Sequence, residues 1–244
     1  MSAIVTIVTM TFRQVLGVRR MIGLALLALA PAAIFLLSPG RIDPFVGVTI
    51  GLLFSVAVPV ITLILASTVL GEERREGTLS FIVLRPIPRV SIAFAKLVAA
   101  VGSAFVLTGV GALAMAMVMG IRTDEFGYVV PFLVGSLVAT LAYAGVFVPL
   151  GYVTERATIV GLAFVFIWES AVAGTIPGLA ATSPWRIGFG ALVGLAPDEF
   201  GAAVPDFALG TMQPGAGGAA VRVLVVIALA LWLTTTILRK RDLA

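Results

Sequence analysis

Six apolar runs dominate the chain, at about residues 21–38, 45–70, 92–120, 128–152, 158–176 and 220–238. Each is near or above the roughly 20 residues that a helix needs to cross a bilayer. Lipid offers the backbone no hydrogen-bond partners, so each run must satisfy its own N–H and C=O groups as a helix. The fold class that follows is an all-α polytopic membrane protein, a single transmembrane unit over residues 1–244 with six transmembrane helices. A mean hydropathy of +1.16, with 60% hydrophobic and only 11% charged residues, lies far from the soluble range. The third run is longer than one crossing requires, and Lys96 near its start leads us to expect that its first turns emerge into water.

Six crossings would put both termini on one side, and basic residues choose the side. Twelve of the 16 Lys and Arg residues fall in the N-terminus, the 71–91 segment with Lys96, the 153–157 loop and the C-terminus. Arg41, Arg122, Arg186 and Arg222 fall on the other side. The sequence therefore predicts a multi-pass protein of the cell (plasma) membrane with both termini cytoplasmic. This topology accounts for the pI of about 10.1 without any nucleic-acid partner.

The run Met21–Leu37 is longer than a signal-peptide core, and Pro39-Gly40 follows it without a small-x-small cleavage pattern, so it reads as a retained span. Before it, Ile4, Val8, Phe12 and Val15 recur at helical spacing, with Thr6, Thr9, Arg13 and Arg20 on another face. Residues 1–20 are thus expected to form an amphipathic interfacial helix, which suits a surface anchor or a docking element.

With zero Cys and zero His, thiol nucleophiles, imidazole bases and Cys/His metal sites are excluded together. The two lysines, Lys96 and Lys240, follow Ala95 and Arg239 rather than a glycine, so no P-loop is present. The chain itself has no ATP-binding loop and reads as a non-enzyme.

The stretch GEERREGTLSFIVLRPIPRV, residues 71–90, interrupts this apolar pattern with five consecutive charges at 72–76. Gly77 can end one helix, Thr78 can cap the next, and Pro86 and Pro88 stop it, leaving a short helix over about 79–85. Leu79, Ile82 and Val83 share one face of that helix, ringed by Arg74, Arg75, Arg85 and Arg89. Such a knob fits a groove on another protein, and it fits a lipid interface equally well.

The run Glu73-Arg74-Arg75-Glu76-Gly77-Thr78-Leu79, then Leu84-x-Pro86-Ile87-x-Arg89, then Lys96, resembles the signature of type-2 exporter permeases of the ABC transporter superfamily. Ser80 and Pro88 depart from it, where that family commonly has an acid and a serine. The resemblance implies a permease that pairs as a dimer and binds two separate ATPase subunits. It makes the short cytoplasmic helix after the second span the coupling helix, seated in the ATPase. Carried over residue by residue, the coupling role falls on Glu73, Glu76, Gly77, Thr78, Leu79, Pro86, Arg89 and Lys96, with Ile82 and Val83 on the helix's apolar face. No cofactor is expected in this chain, and ATP and Mg would sit on the partner ATPase.

Glu169, in IWESAVAG, is the only acid deep inside an expected span. A charged carboxylate near the bilayer centre costs about 2.5–3.5 kcal/mol on insertion scales, so it should be protonated, paired or facing a wet cavity. It is a candidate for the translocation pathway or the subunit interface. The competing reading is a carboxyl held within its own bundle, with Trp168 and Ser170 as nearby partners. Pro31, Pro59 and Pro149 can kink their helices, and Gly135 with Ala139 makes a small-xxx-small spacing for close packing. Residues 177–219, rich in Gly and Pro, carry an apolar island around Trp185–Leu195 too short to span. That island is expected to be a half-buried or re-entrant helix with Trp185 at the interface, or an ordinary surface loop. Asp198, Glu199 and Asp206 nearby read as solvated acids.

The function expected is the membrane-spanning subunit of an ATP-driven ABC exporter, a homodimer that forms the pathway. The alternatives are a passive channel or ion-coupled secondary transporter, which needs ionisable groups recurring at midplane depth, and an intramembrane enzyme, which this residue inventory barely supports.

Overall fold

The computed structural model describes residues 5, 8–12, 17–75, 88–172, 176–209 and 215–240, and every regular element among them is a helix. Helix α1 runs Val18–Leu37. At its end the Ser38 N–H and hydroxyl both turn back to the Phe35 carbonyl, at 3.1 and 2.8 Å, and Pro39-Gly40 stops continuation. The last carbonyls of a helix need outside donors, and Arg122 supplies them. Its Nη1 donates to the Phe35 and Ser38 carbonyls at 3.1 and 2.7 Å, and its Nη2 donates to the Leu36 carbonyl. The same guanidinium lies 5.3 Å over the Phe35 ring.

Next come α2 (Ile42–Val48), a π-helical stretch π1 (Thr49–Ala57) and α3 (Val58–Arg75), continuous with one another. Pro59 accounts for the widened turns before it, because its ring excludes the carbonyl four residues back and it has no N–H to donate. The Val58 N–H reaches the Leu53 carbonyl, five residues back, and the Ser55 hydroxyl donates to the Ile50 carbonyl at 2.7 Å with the same spacing.

Helix α4 (Arg89–Thr123) follows Pro88 and ends at Asp124, which adopts the left-handed conformation at φ 60°. Its 35 residues span about 52 Å, well beyond the hydrocarbon thickness of about 30 Å. A 3₁₀ turn (Phe126–Tyr128) leads to α5 (Val129–Val153), and α6 (Ala157–Ala163) runs into a second π-helical stretch, π2 (Phe164–Val172). After a 3₁₀ turn (Pro177–Thr182) come α7 (Pro184–Val193), α8 (Asp198–Ala203), α9 (Asp206–Leu209) and α10 (Ala216–Lys240).

Five of these stretches are long and apolar enough to cross a membrane: Val18–Leu37, Ile42–Val69, Arg89–Thr123, Phe126–Val153 and Ala216–Arg239. The remaining expected run, 158–176, is helical from Ala157 to Val172, and its described apolar part covers Ala157–Glu169. Residues 173–175 lie outside the described ones.

The centre of the bundle is α5, which packs against α3, α4, α7 and α10. Close approach needs small residues there. A Cβ at Gly151 would meet the Ser67 carbonyl oxygen of α3 at 2.4 Å, and one at Gly188 of α7 would meet Ala139 Cβ at 2.4 Å. The Gly135/Ala139 pair does serve close packing, and its partner is the short helix α7. Between α4 and α5 the Thr108 and Thr140 hydroxyls hydrogen-bond at 2.9 Å, so neither is left unsatisfied in the apolar core. The end of the bundle away from Lys96 is closed by aromatic rings. Phe45 lies 5.1 Å from Phe35 and Phe132, 5.3 Å from Tyr128 and 5.8 Å from Phe200, geometries worth about 0.5–1.5 kcal/mol per pair beyond burial.

Candidate functional site

Two places in this bundle carry chemistry that packing alone does not require. The first is the base of the charged 71–90 segment. Glu73 lies on the last turn of α3, and Arg89 opens α4, half-buried. Glu76, Gly77, Thr78, Leu79, Ile82, Val83 and Pro86 lie outside the described residues. Lys96 is described and is not where its charge suggests, because it is only 1% exposed. Its Nζ donates to the Thr11 hydroxyl at 2.9 Å and to the Val69 carbonyl at 3.4 Å. The expectation that the first turns of α4 stand in water therefore fails at Lys96, which residues 8–12 and the end of α3 cover. A charge taken out of water has to be hydrogen-bonded, and these acceptors come from two other segments. One ammonium group thus ties the N-terminal helical residues, the end of α3 and the start of α4 together.

The N-terminal reading changes accordingly. Residues 8–12 are helical, Met10 faces outward at 64% exposure, and Thr11, which falls on the same face of the expected helix as Ile4, Val8 and Val15, is buried.

The second place surrounds Glu169 on π2. Its carboxylate accepts from the Ser183 hydroxyl and from the Trp185 backbone N–H, the latter at 3.3 Å, and the Tyr143 hydroxyl of α5 is a third hydrogen-bonding neighbour. Hydrogen bonds to a charged group contribute about 1.5–3 kcal/mol each, so two of them offset the cost of placing a carboxylate in lipid. Trp168, next to it in the sequence, is not among these partners, because adjacent helical residues do not face one another, and the Ser170 side chain lies outside the described ones. Ser183 does two jobs, since its oxygen also accepts the Arg186 N–H at 3.1 Å as the N-cap of α7. Glu169 therefore fastens the start of α7 to π2.

Helix α7 is the apolar island of the 177–219 segment, and residues 184–192 are all buried. It is a packed element rather than a surface loop. Trp185 is 9% exposed and stacks on Phe189 with ring centroids 5.3 Å apart, so it lies inside the bundle and not at an interface. Beside it Arg186 is only 6% exposed. Its Nη2 donates to the Phe207 carbonyl at 3.3 Å, its guanidinium lies 5.3 Å from the Trp185 ring, and its Nε and Nη1 have no hydrogen-bond partner.

These groups border a cavity of about 420 Å³. One wall is π1, through Ile50, Ser55 and Val56; another is π2, through Val165, Phe166 and Glu169; Tyr143, Trp185, Arg186 and Phe207 complete it. Sequence reasoning found Glu169 and missed Arg186, Ser183 and Tyr143. The signal for Arg186 was present, an arginine inside SPWRIGFGALV, but it was counted with the loop charges.

Several membrane-length helices around a central α5, with charged side chains engaged inside the bundle, define a multi-pass helical membrane protein of the transporter kind. The chain belongs to the ABC-2 family of transporter proteins: the family model described as "ABC-2 family transporter protein" matches residues 17–176. It is accordingly the transmembrane component of an ABC transporter and not its ATPase. That match takes in α1 to π2 with the whole 71–90 segment and Glu169, and it stops before Ser183 and Arg186. No curated protein matches the chain.

Proposed function

We propose that the chain is the permease of an ATP-driven exporter of the plasma membrane, working as a homodimer with two separate ATPase subunits that dock on its cytoplasmic side. The observation that carries this reading is the buried Lys96 clamp. The helices that flank the 76–87 segment are joined to each other through Nζ and the Val69 carbonyl, and to residues 8–12 through Thr11. A push on a helix seated in an ATPase then reaches α3 and α4 together, as coupling requires. Glu73, Glu76, Gly77, Thr78, Leu79, Ile82, Val83, Pro86 and Arg89 are the residues we assign to that contact. ATP and Mg belong to the partner. Dimerisation would cover part of the apolar surface presented by α1 and α10, where Leu26, Leu37, Leu224 and Trp232 are exposed.

The test is purification in mild detergent. An ATPase subunit is expected to accompany the chain and to be lost when Leu79, Ile82 and Val83 are changed together to serine. A reproducibly solitary chain, with transport that ignores ATP, would favour a channel or ion-coupled carrier instead.

Glu169→Gln converts one acceptor oxygen into a donor, so the side chain can no longer accept from Ser183 and Trp185 at once. Transport is expected to fall by about tenfold, in line with one lost hydrogen bond to a charged group, with ATPase assembly intact. Unchanged transport would remove Glu169 from the pathway.

A further inference from the structure

The hydrogen-bond inventory around the cavity is one-sided. Glu169 has both carboxylate oxygens engaged, one by the Ser183 hydroxyl and the other by the Trp185 N–H. Arg186 does not have its donors engaged: of a guanidinium's five N–H groups, those on Nε and Nη1 are buried without a partner, and so is Trp185 Nε1. What this wall lacks is an acceptor. A buried, unsatisfied cation is costly, and an apolar residue at this position of α7 would avoid that cost.

The remaining walls are apolar and of unusual construction. Both π1 and π2, nine residues each, face the cavity, whereas π-helix commonly occurs as single-turn bulges, often at functional sites. Phe166 and Phe207, 67% and 69% exposed, line it while remaining open to the surroundings of the bundle.

We infer that this cavity binds an amphipathic anion, a carboxylate or phosphate monoester on an apolar tail, with the head on Arg186 and the tail between π1 and π2. A guanidinium matches such a head in a bidentate fork. The volume of about 420 Å³ falls in the range of small-ligand pockets, about 300–1,000 Å³. A cationic amphipath would find few free acceptors here, since Glu169 already accepts from Ser183 and Trp185. Ser183, Trp185 and Arg186 lie beyond the part of the chain matched by the family model.

The experiment uses the purified chain in phosphatidylcholine nanodiscs, without any ATPase, in a Trp168→Phe, Trp232→Phe background that leaves Trp185 as the sole tryptophan. Terminally brominated undecanoic acid should quench Trp185 emission saturably, and about tenfold more tightly than the brominated alcohol or trimethylammonium of equal length. A brominated alkyl phosphate distinguishes a general anion site from a carboxylate site. Arg186→Gln should abolish the preference for the anion. Val56→Phe, which leaves Arg186 intact and fills the cavity, should weaken quenching by the acid. Equal quenching by alcohol and acid, an unchanged preference in Arg186→Gln, or indifference to Val56→Phe would each overturn the inference. Because no ATPase takes part, failure here leaves the exporter reading standing, and a chain that recruits no ATPase leaves this binding result standing.

Discussion

Replacing Lys96 by methionine is expected to lower ATP-driven transport by about tenfold or more, while the chain still inserts and still binds its ATPase. Methionine keeps the length and apolar volume of the lysine stem, so packing among α3, α4 and residues 8–12 is little disturbed. The charged hydrogen bonds to the Thr11 hydroxyl at 2.9 Å and the Val69 carbonyl at 3.4 Å are lost, at about 1.5–3 kcal/mol for a well-formed one. On the proposed docking role of the 76–87 segment, those bonds join the two helices that flank it, so a push on one reaches the other. The readouts are substrate moved per ATP hydrolysed in proteoliposomes and protease sensitivity near Thr11. A purely structural role would lower both activities together, whereas a positioning role lowers transport per ATP. Wild-type coupling with a protected N-terminus would refute the assignment.

Gly151→Leu is expected to destabilise the bundle more than any of the substitutions above. A Cβ at this position would lie 2.4, 2.9 and 3.0 Å from the carbonyl oxygen, Cα and carbonyl carbon of Ser67. All three are backbone atoms of α3, so no side chain can swing aside and the two helices must separate. Overpacking of this kind costs about 1–3 kcal/mol or more, which lowers the melting midpoint in detergent by roughly 5–10 °C. The same substitution at Gly47, where a Cβ meets nothing within 4 Å, should leave the midpoint within about 2 °C. Equal effects at the two sites would show that α3 and α5 are not in intimate contact.

The helical layout was legible in the sequence because hydropathy is a local property. Runs read as 21–38, 92–120 and 128–152 appear as Val18–Leu37, Arg89–Thr123 and Phe126–Val153, differing by the few residues that caps and turns decide. The run read as 158–176 is helical from Ala157 to Val172, and hydropathy does not announce that its second half is π-helical. The widened turns of π1 have a local cause in Pro59, but π2 carries no proline to announce it. Lys96 was singled out by its place in a motif, and Thr11, its partner 85 residues earlier, bore no mark.

That this chain is a helical membrane protein, where its apolar runs fall and that it carries no P-loop all follow from residue type and short-range spacing, while the resemblance to a permease signature is what marks the 71–90 segment as a coupling element. Packing was needed to establish that Lys96 is a buried clamp, that Glu169 holds the start of α7 through Ser183 and Trp185, and that Arg186 borders a cavity with unused donors. The reason is physical: a buried polar group is governed by the hydrogen-bond partners brought to it, and here those partners come from segments that only the folded bundle makes neighbours.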